Sequence, residues 1–426
     1  MKTSWPSPIS LIFLLLFTSA AFSQKPYSVY SIPGISPNSQ IAINNNGEVV
    51  VNTASTTSNQ VSAWTRLAGP KAIASFAVNS IGNAINLSGE IAGVGTPSGS
   101  SSSQAFVWTP SGAVWLGSLG GKYGAANAIN DAAAVVGQSY TSSYLQHAFL
   151  WTPSAGMRDI TPNLTSSGGA TATGINSSNE VVGYYFPNGS NSTVGFTWTA
   201  TGNLANFGPA GTLAFAINNA GTVVGRSPDA AGYSHAFSFT SATGIKDLGT
   251  LGGDASSALS INNEGSIVGT SIANTTSGLI THGFMWTSSA GMRDLSNLST
   301  LGVAQRPYAL QINDYGVIAV STNVGGYVLV PKMSTTVTSS ANPSVVGQAV
   351  TFTATISSIA GPPPDGELLQ FVVGGKTMGS VAMKGGVAKF TTSAIAEGSR
   401  VVAAKYSGDA NYYPAKFTTI TQQVNP

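Results

Sequence analysis

The sequence predicts an all-β protein: a seven-bladed β-propeller closed by an N-terminal strand, followed by a β-sandwich. Three observations predict this fold. The pair Ile-Asn recurs seven times at intervals of 42 to 51 residues, beginning at Ile43, Ile85, Ile129, Ile175, Ile217, Ile261 and Ile312. A period of this length is typical of a four-stranded propeller blade. The segment before the first copy matches a strand that the last copy lacks, and the pattern changes at Met333.

The N-terminus reads as an export signal. Met1-Lys2 precedes the apolar run 11–17, and small residues follow at 20–23. This is the order of a cleavable signal peptide, and the run is too short to span a bilayer. We expect residues 1–23 to be removed and no membrane insertion of the mature chain.

Composition restricts the function classes. Cysteine is absent, so disulfides cannot hold an exported chain together. Charged residues make up 8% of the chain and the net charge is +2, which provides no field for binding nucleic acid. Apolar residues make up 42%, which is enough to fold two domains with cores.

Each repeat predicts four short strands. In the copy at 216–253, they are the segment ending at Ile217-Asn218, Thr-Val-Val-Gly, His-Ala-Phe and Ile-Lys-Asp-Leu. The Asn predicts a tight turn between the first two strands, and the residue three positions later needs positive φ. Gly or Asn occupies that position in six copies, and Ala133 is the exception.

Two further positions recur. Seven residues after the Asn, the five inner copies carry a glycine, which we assign to close contact between neighbouring blades. The third strand carries an aromatic residue, which we assign to the core between blades. The aromatic residues are Trp64, Trp108, Trp151, Trp198, Phe239, Trp286 and Tyr327.

Closure of the ring follows from the two ends of the repeat region. The copy at 308–330 lacks a fourth strand, and the mature chain begins with a spare one, Tyr27-Ser-Val-Tyr-Ser-Ile. Pairing the two buries every face between blades and leaves no open edge. We therefore expect the propeller to span 24–331, with the Ile-Asn strands nearest the axis.

The repeats resemble the HAF-repeat family of extracellular bacterial proteins. The residues that carry the resemblance are His147-Ala-Phe-Leu-Trp, His235-Ala-Phe, the Gly-x-x-Asp-Leu-Gly segments and the Ile-Asn-x-x-Gly-x-Val-Val-Gly segments over about 27–330. Gln104 and Val194 replace the His in two copies, and Gly195 and Gly283 replace the Ala. The resemblance implies an exported protein and no defined chemistry.

Residues 334–426 form the second domain. Strict alternation in Val350-Thr-Phe-Thr-Ala-Thr-Ile and in two later segments predicts a β-sandwich. The segments 342–354 and 406–412 resemble the bacterial Ig-like domain of the group 3 type, a family whose modules act as stalks or adhesive spacers. Asp409 and Asn411 favour a capped turn over a calcium loop, because few carboxylates surround them.

Catalytic signatures are absent from the sequence. His147, His235 and His282 occupy one repeated position, which favours a structural role over a metal site. Asp159, Asp247 and Asp294 share another, beside Arg158, Lys246 and Arg293, and we assign them to local caps or ion pairs. We expect no catalytic residue, cofactor or metal. Asp131, Asp229 and Asp254 within about 10 Å of one another would instead indicate a glycosidase.

We expect a secreted or surface-associated, monomeric, non-enzymatic binding or adhesion protein with the Ig-like module as spacer. Its partner would be an extracellular glycan or protein, contacted by the loops 139–146, 184–194, 226–234 and 270–281. The candidate binding residues are Tyr140, Tyr144, Tyr184, Tyr185 and Tyr233. The alternatives are a polysaccharide hydrolase or lyase on a propeller scaffold and a purely structural surface protein.

Overall fold

The computed structural model describes residues 25–54, 59–73, 77–165, 168–301, 307–408, 411–412 and 416–426. The expected signal peptide lies outside these residues. Within them the chain is built of strands, apart from one short helix, and the predicted all-β class is confirmed. Between Tyr27 and Pro331 the described strands form seven four-stranded antiparallel sheets.

The strands follow one another in chain order. β1 (Tyr27–Ile32) precedes the first sheet, which contains β2 (Ile41–Ile43), β3 (Val49–Ala54), β4 (Asn59–Thr65) and β5 (Gly69–Ala72). The second sheet contains β6 (Ala77–Ile85), β7 (Ile91–Pro97), β8 (Gln104–Thr109) and β9 (Gly112–Trp115). The third sheet contains β10 (Gly120–Ile129), β11 (Val135–Thr141), β12 (Gln146–Thr152) and β13 (Gly156–Asp159). The fourth sheet contains β14 (Ala170–Ile175), β15 (Val181–Tyr185), β16 (Val194–Trp198) and β17 (Leu204–Phe207).

The fifth sheet contains β18 (Leu213–Ile217), β19 (Val223–Pro228), β20 (Ser234–Thr240) and β21 (Gly244–Asp247). The sixth contains β22 (Gly252–Ile261), β23 (Ile267–Thr275), β24 (Gly278–Thr287) and β25 (Gly291–Asp294), and the helix α1 (Leu295–Leu298) follows it. The seventh contains β26 (Pro307–Ile312), β27 (Ile318–Thr322) and β28 (Gly325–Pro331), completed by β1.

The sheets pack face to face around a ring, in the manner of a β-propeller. Buried clusters join each sheet to the next, and the seventh sheet packs on the first through Val317, Val328 and Ile41. The repeated aromatic residue of each sheet packs in the interface with the preceding sheet, as Trp198 does between the third and fourth. The expected core role of these residues is confirmed.

The Ile-Asn pairs lie at the end of the innermost strand, and their asparagines form a closed ring of hydrogen bonds. Each buried Asn donates from Nδ2 to the backbone oxygen of the next repeat's Asn, at distances between 2.9 and 3.4 Å. The last of these bonds runs from Asn313 back to Asn44. Each Oδ1 accepts from the backbone N–H four residues on, which holds the turn. The same side chain therefore shapes its own turn and joins it to the next sheet.

The turn residue three positions after each Asn has positive φ, as expected. The five glycines and Asn179 share this conformation, and Ala133 adopts φ 57° in the same turn. Its backbone N–H donates to the Asn130 oxygen at 3.0 Å, like its counterparts. Ala133 is therefore the one of the seven with a Cβ and no polar side chain to compensate.

The recurring glycine of the second strand serves a different contact from the one we expected. In the five inner copies, a Cβ at this position would overlap a backbone oxygen of the first strand of the same sheet, as Gly137 would with Ala125. A register shift in that first strand brings its oxygen close. The assignment to contact between blades is wrong, because the tight approach lies inside each sheet.

Strand β1 closes the seventh sheet. It pairs antiparallel with β28, from Tyr27 opposite Pro331 to Ile32 opposite Gly326, and is the outermost strand. The buried Tyr27 hydroxyl lies 3.2 Å from the Gly316 oxygen and 3.3 Å from the Met285 sulfur. Ring closure by the N-terminal strand is as the sequence predicts.

The C-terminal module consists of two sheets. The four-stranded sheet has the order β34 (Val387–Thr392), β31 (Val350–Ser357), β29 (Ser334–Ser339) and β36 (Lys416–Phe417). The five-stranded sheet has the order β30 (Ser344–Val345), β37 (Thr419–Asn425), β35 (Gly398–Lys405), β32 (Leu368–Val373) and β33 (Lys376–Ala382). One buried cluster that includes Phe352 and Phe371 fills the space between them.

This module contacts the ring beside the bond that closes it. Asn411 accepts from Asn313 Nδ2 at 2.9 Å and donates to the Asn45 oxygen at 2.8 Å. The Tyr412 ring lies edge-on to Tyr315 with centroids 5.5 Å apart. Asn411 therefore bridges the seam between Asn313 and Asn45, while Asp409 lies outside the described residues.

Candidate functional site

The two ends of the strands in the ring differ in character. The turn edge carries the connections from first to second strand and from third to fourth. The loop edge carries the connections from second to third strand and those that enter the next sheet. Because neighbouring strands are antiparallel, the candidate loops all lie at the loop edge and the Ile-Asn turns at the turn edge.

A cavity of about 220 Å³ opens at the centre of the turn edge. Its walls are the seven Ile-Asn pairs and residues that follow them, among them Asp131 and Asp314. The Asp314 carboxylate accepts from the Asn263 backbone N–H and from the side chains of Asn45 and Asn263. The polar groups of this wall therefore hold adjacent turns together.

The repeated histidines pair with the repeated aspartates twelve residues later. The distances from His Nδ1 to Asp Oδ2 are 2.6 Å for His147–Asp159, 2.8 Å for His235–Asp247 and 2.6 Å for His282–Asp294. Each Asp Oδ1 accepts from the backbone N–H two residues on. The expected capping role of the aspartates is confirmed, and the hydrogen-bond partner of each carboxylate across the strands is the histidine.

The neighbouring cations contact aromatic rings. The Arg158 guanidinium lies 5.3 Å from the Trp198 ring centre, and Lys246 Nζ lies 5.0 Å from that of Trp286. Both rings belong to the next sheet, so these cation–π pairs join adjacent sheets. The expectation that Arg158 and Lys246 pair with the aspartates beside them is not met.

The three acids that would indicate a glycosidase are separated. Asp131 follows β10 at the turn edge, where its Oδ1 accepts from the Leu87 N–H. Asp229 follows β19 at the loop edge, where its Oδ1 accepts from the N–H groups of Ala231 and Tyr233. Asp254 lies in β22, near the same edge. Strands of the fold separate Asp131 from the other two, and the Asp229 Oδ2 lies 3.8 Å from His235 Nε2.

No group of three or more His, Asp or Glu side chains within the described residues is arranged to hold a metal ion. The single described helix, α1, is far shorter than a membrane-spanning segment.

Two candidate tyrosines lie at the loop edge of the third sheet. Tyr140 is half-buried in β11, edge-on to Tyr123 with ring centres 6.0 Å apart. Tyr144 lies in the hairpin to β12 with φ 61° and is 71% exposed. Tyr123, which is 48% exposed, was missed by the sequence reasoning because it precedes the repeat signature.

The fourth sheet carries Tyr184 and Tyr185 at the end of β15, on opposite faces because side chains alternate along a strand. The Tyr185 ring packs against the cluster between the third and fourth sheets, 6.3 Å from Phe196. Its hydroxyl accepts from Asn206 Nδ2 at 2.9 Å. Tyr185 is therefore partly a core residue as well as a loop-edge residue.

Tyr233 lies in the loop before β20 of the fifth sheet and is 51% exposed. The Asp229 carboxylate holds the loop by accepting from the Tyr233 N–H at 2.8 Å. The five candidates thus share the loop edge of three consecutive sheets, and each makes its own local contacts.

A cleft of about 450 Å³ lies beside Tyr185, between the connection that leaves β13 and the outer strands of the fourth sheet. Ile160, Pro162, Leu164, Pro187 and Leu204 supply its apolar wall. Thr161, Asn163 and Asn188 supply polar groups. These residues were not singled out from the sequence, although the connection 160–169 is visibly longer than those before β10 and β22.

The loop predicted at 270–281 is largely strand. β23 and β24 continue in register, with Ile272 opposite Thr281 and Asn274 opposite Leu279, and a tight turn joins Thr275 to Gly278. The expectation of a long loop is wrong there, because these residues extend the same hairpin outward.

Residues 337–425 match the family model of the bacterial Ig-like domain (group 3). This match supports the predicted identity of the C-terminal module. No curated protein matches the sequence of the chain.

Among solved structures, the chain is similar to a streptogramin B lyase, with 12% identity over 73% of this chain and 100% of the other, at a TM-score of 0.43. It is also similar to YCF48 bound to D1 peptide, with 10% identity over 72% and 96% of the two chains, at a TM-score of 0.46. TolB from Acinetobacter baumannii is 13% identical over 71% and 79%, at 0.37. Likeness at this level carries no argument about function.

Proposed function

We propose that this chain is an exported, non-enzymatic binding protein: a seven-bladed propeller whose loop edge contacts an extracellular glycan or protein surface. The observation that carries the proposal is the contrast between the two edges. At the turn edge one turn is repeated seven times and its polar groups are joined in a ring. At the loop edge the connections differ in length and sequence.

Such a contrast is typical of a rigid frame that presents variable binding loops. Tyr144 and Tyr233 expose large rings there, and tyrosine combines apolar area with a hydrogen-bonding tip. The low charge of the chain favours an uncharged glycan or protein over a polyanion. The Ig-like module packs at the turn edge, which leaves the loop edge available.

An extracellular location is part of the proposal. The N-terminal segment 1–23 has the features of a signal peptide, the repeats resemble those of extracellular HAF-repeat proteins, and the C-terminal module belongs to a bacterial Ig-like type. The absence of cysteine fits an exported chain that the closing strand and the asparagine ring stabilise in place of disulfides.

The test is a glycan and peptide array probed with the chain 25–426, followed by titration of each hit. Changing both Tyr144 and Tyr233 to alanine should weaken binding about tenfold or more without moving the melting temperature, because both rings are exposed. Leu67→Ala is the matched control, since Leu67 is equally exposed but lies at the turn edge. Undiminished binding by the double variant contradicts the proposed edge, and turnover of any glycan by the unmodified chain contradicts the non-enzymatic assignment.

A further inference from the structure

The fourth sheet differs from the third, fifth and sixth sheets at three positions that lie side by side. In the third, fifth and sixth sheets, a buried serine follows the second-strand glycine by two residues and stands opposite the repeated histidine. These pairs are Ser139–His147, Ser227–His235 and Ser271–His282. In the fourth sheet the pair is Tyr185–Val194, and Asn206 takes the place of the repeated aspartate.

The serines close the space beneath the connection that enters their sheet. The Ser139 hydroxyl accepts from the Leu119 N–H at 3.0 Å, and Ser271 accepts from Leu251 at 2.9 Å. The Ser227 hydroxyl is hydrogen-bonded to the Thr212 hydroxyl, at 2.9 Å. In each case the serine hydroxyl holds a short connection against the sheet by a hydrogen bond.

In the fourth sheet, no serine stands at this position to bond the entering connection. The connection that enters the fourth sheet, 160–169, is longer than those that enter the third, fifth and sixth. Tyr185 stands where those sheets have the serine that bonds the connection. Asn206 Nδ2 donates to the Tyr185 hydroxyl at 2.9 Å, which fixes the ring at the wall of the cleft. The cleft therefore coincides with three changes relative to the third, fifth and sixth sheets, and such departures from a local rule occur at functional sites.

The lining of the cleft defines the class of ligand that fits. Among the described lining residues there is no Asp, Glu, Lys, Arg or His, so the lining itself supplies no countercharge to a charged ligand. The Tyr185 ring and Leu204, 37% exposed, offer apolar surface. Asn163 and Asn188 offer carboxamides, and that of Asn188 is oriented by accepting from the Thr165 N–H at 3.0 Å.

A pyranose ring has this same combination of surfaces: an apolar face of C–H groups and a rim of uncharged hydroxyls. A purely apolar ligand would leave the carboxamides without partners, at a cost in free energy. The volume of about 450 Å³ lies within the range of small-ligand sites. We infer that the cleft beside Tyr185 binds a neutral sugar unit of an extracellular glycan, an inference that rests on the proposed loop-edge binding function.

Arg158 lies at the border of the cleft, where a Cβ on Gly202 would come within 3.5 Å of its Nη2. Its guanidinium is engaged over the Trp198 ring of the fourth sheet. It therefore holds the two sheets that form the cleft and supplies the variant that tests for an acidic ligand.

The experiment is calorimetric titration of the chain 25–426 with neutral hexose and N-acetylhexosamine oligosaccharides and with uronic acid oligosaccharides. Tyr185→Ser, which installs the residue of the equivalent sheets, should weaken the neutral ligand about tenfold or more. Tyr185→Phe keeps the ring and should retain binding within about threefold. Should Tyr185→Ser lower the melting temperature, the half-exposed Leu204→Asp decides, because it places a charge in the same wall.

The outcomes separate this inference from the proposed function. Neutral-sugar binding that survives both Tyr185→Ser and Leu204→Asp but is lost on changing Tyr144 and Tyr233 to alanine overturns the cleft and keeps the loop edge. Preference for uronic acids, abolished by Arg158→Gln, overturns the neutral class. If the chain binds a protein but no sugar, the inferred sugar site is wrong and the proposed binding function stands. If the chain binds neither sugars nor proteins, both the sugar site and the binding function are wrong.

Discussion

Asparagine performs the same two tasks in each of the seven repeats. One end of its carboxamide accepts from the turn and the other donates to the next repeat. Asp would keep the acceptor and lose the donor, and Ser is too short to reach both partners. This double use explains why Asn recurs at a buried position, where its polar atoms must all be paired.

Loss of one such asparagine should be costly. We expect Asn218→Ala to lower the free energy of unfolding by about 1–3 kcal/mol, because the N–H groups of Ala220 and Thr222 lose their acceptor and the bond to the Asn262 oxygen of the next repeat is lost. Urea denaturation of the variant measures this. Asn219→Ala in the same turn is the control: the Asn219 side chain is exposed, and the Ser177 N–H from which it accepts can bond water instead, so the loss should be less than about half as large. Equal losses would show that the ring bond contributes nothing of its own.

A substitution at Ala133 should stabilise the protein. Its φ of 57° is strained for a residue with a Cβ, so Ala133→Gly should raise the free energy of unfolding by about 0.5–1 kcal/mol. Ala132→Gly, one residue earlier and without positive φ, should lower it through the greater entropy of the unfolded chain. A melting comparison of both variants checks the sign, and a destabilised Ala133→Gly contradicts the strain argument.

Tyr27 should make the free energy of unfolding fall at alkaline pH. Burial raises the pKa of its phenol, whereas the unfolded chain ionises it near its ordinary value of about 10. The unfolded state therefore releases the proton first, and the contribution of Tyr27 is complete below about pH 10 and is lost as pH rises above it. Stability of the unmodified chain should fall more steeply from pH 9 to 11 than that of Tyr27→Phe, by chemical denaturation. Parallel curves would contradict this assignment.

At the scale of elements, β1 closes the ring. It carries the buried Tyr27 and Ile32 and covers the open side of β28. Deletion of residues 24–34 should lower the melting temperature by on the order of 10 °C or more and leave an edge prone to aggregation, relative to a chain that starts at Gln24. An unchanged melting curve for the shortened chain would show that closure lies elsewhere.

Sequence periodicity predicted the strands and the closing pair well, because both follow from local alternation and from matching the two ends of the repeat. It failed where contacts between strands decide the outcome. The register shift that explains Gly137 and the extended hairpin at 270–281 depend on backbone approach that no single segment encodes. The cleft beside Tyr185 was missed because its walls come from two segments, 160–164 and 185–204, whose approach no local pattern predicts.

At the scale of the molecule, we expect the two modules to fold separately. The ring should depend on the Ig-like module for part of its stability, whereas the Ig-like module should not depend on the ring. Residues 334–426 have their own buried core and should fold alone. The ring without them should remain folded yet melt lower, because Asn411 no longer spans the seam between Asn313 and Asn45. Asn411→Ala in the full chain should reproduce part of that loss. An unfolded 334–426 fragment by NMR would mean that the modules fold as one unit.

The seam also has a mechanical consequence. Pro331 ends β28 at the turn edge, and the Ig-like module continues from there while the loop edge faces the other way. Tension between a ligand held at the loop edge and an attachment beyond the C-terminus would pull β28 along its own axis. Its hydrogen bonds to β1 on one side and β27 on the other would then be sheared together instead of opening one by one. The seam that no covalent bond closes is thus loaded in shear, so its hydrogen bonds would have to break together.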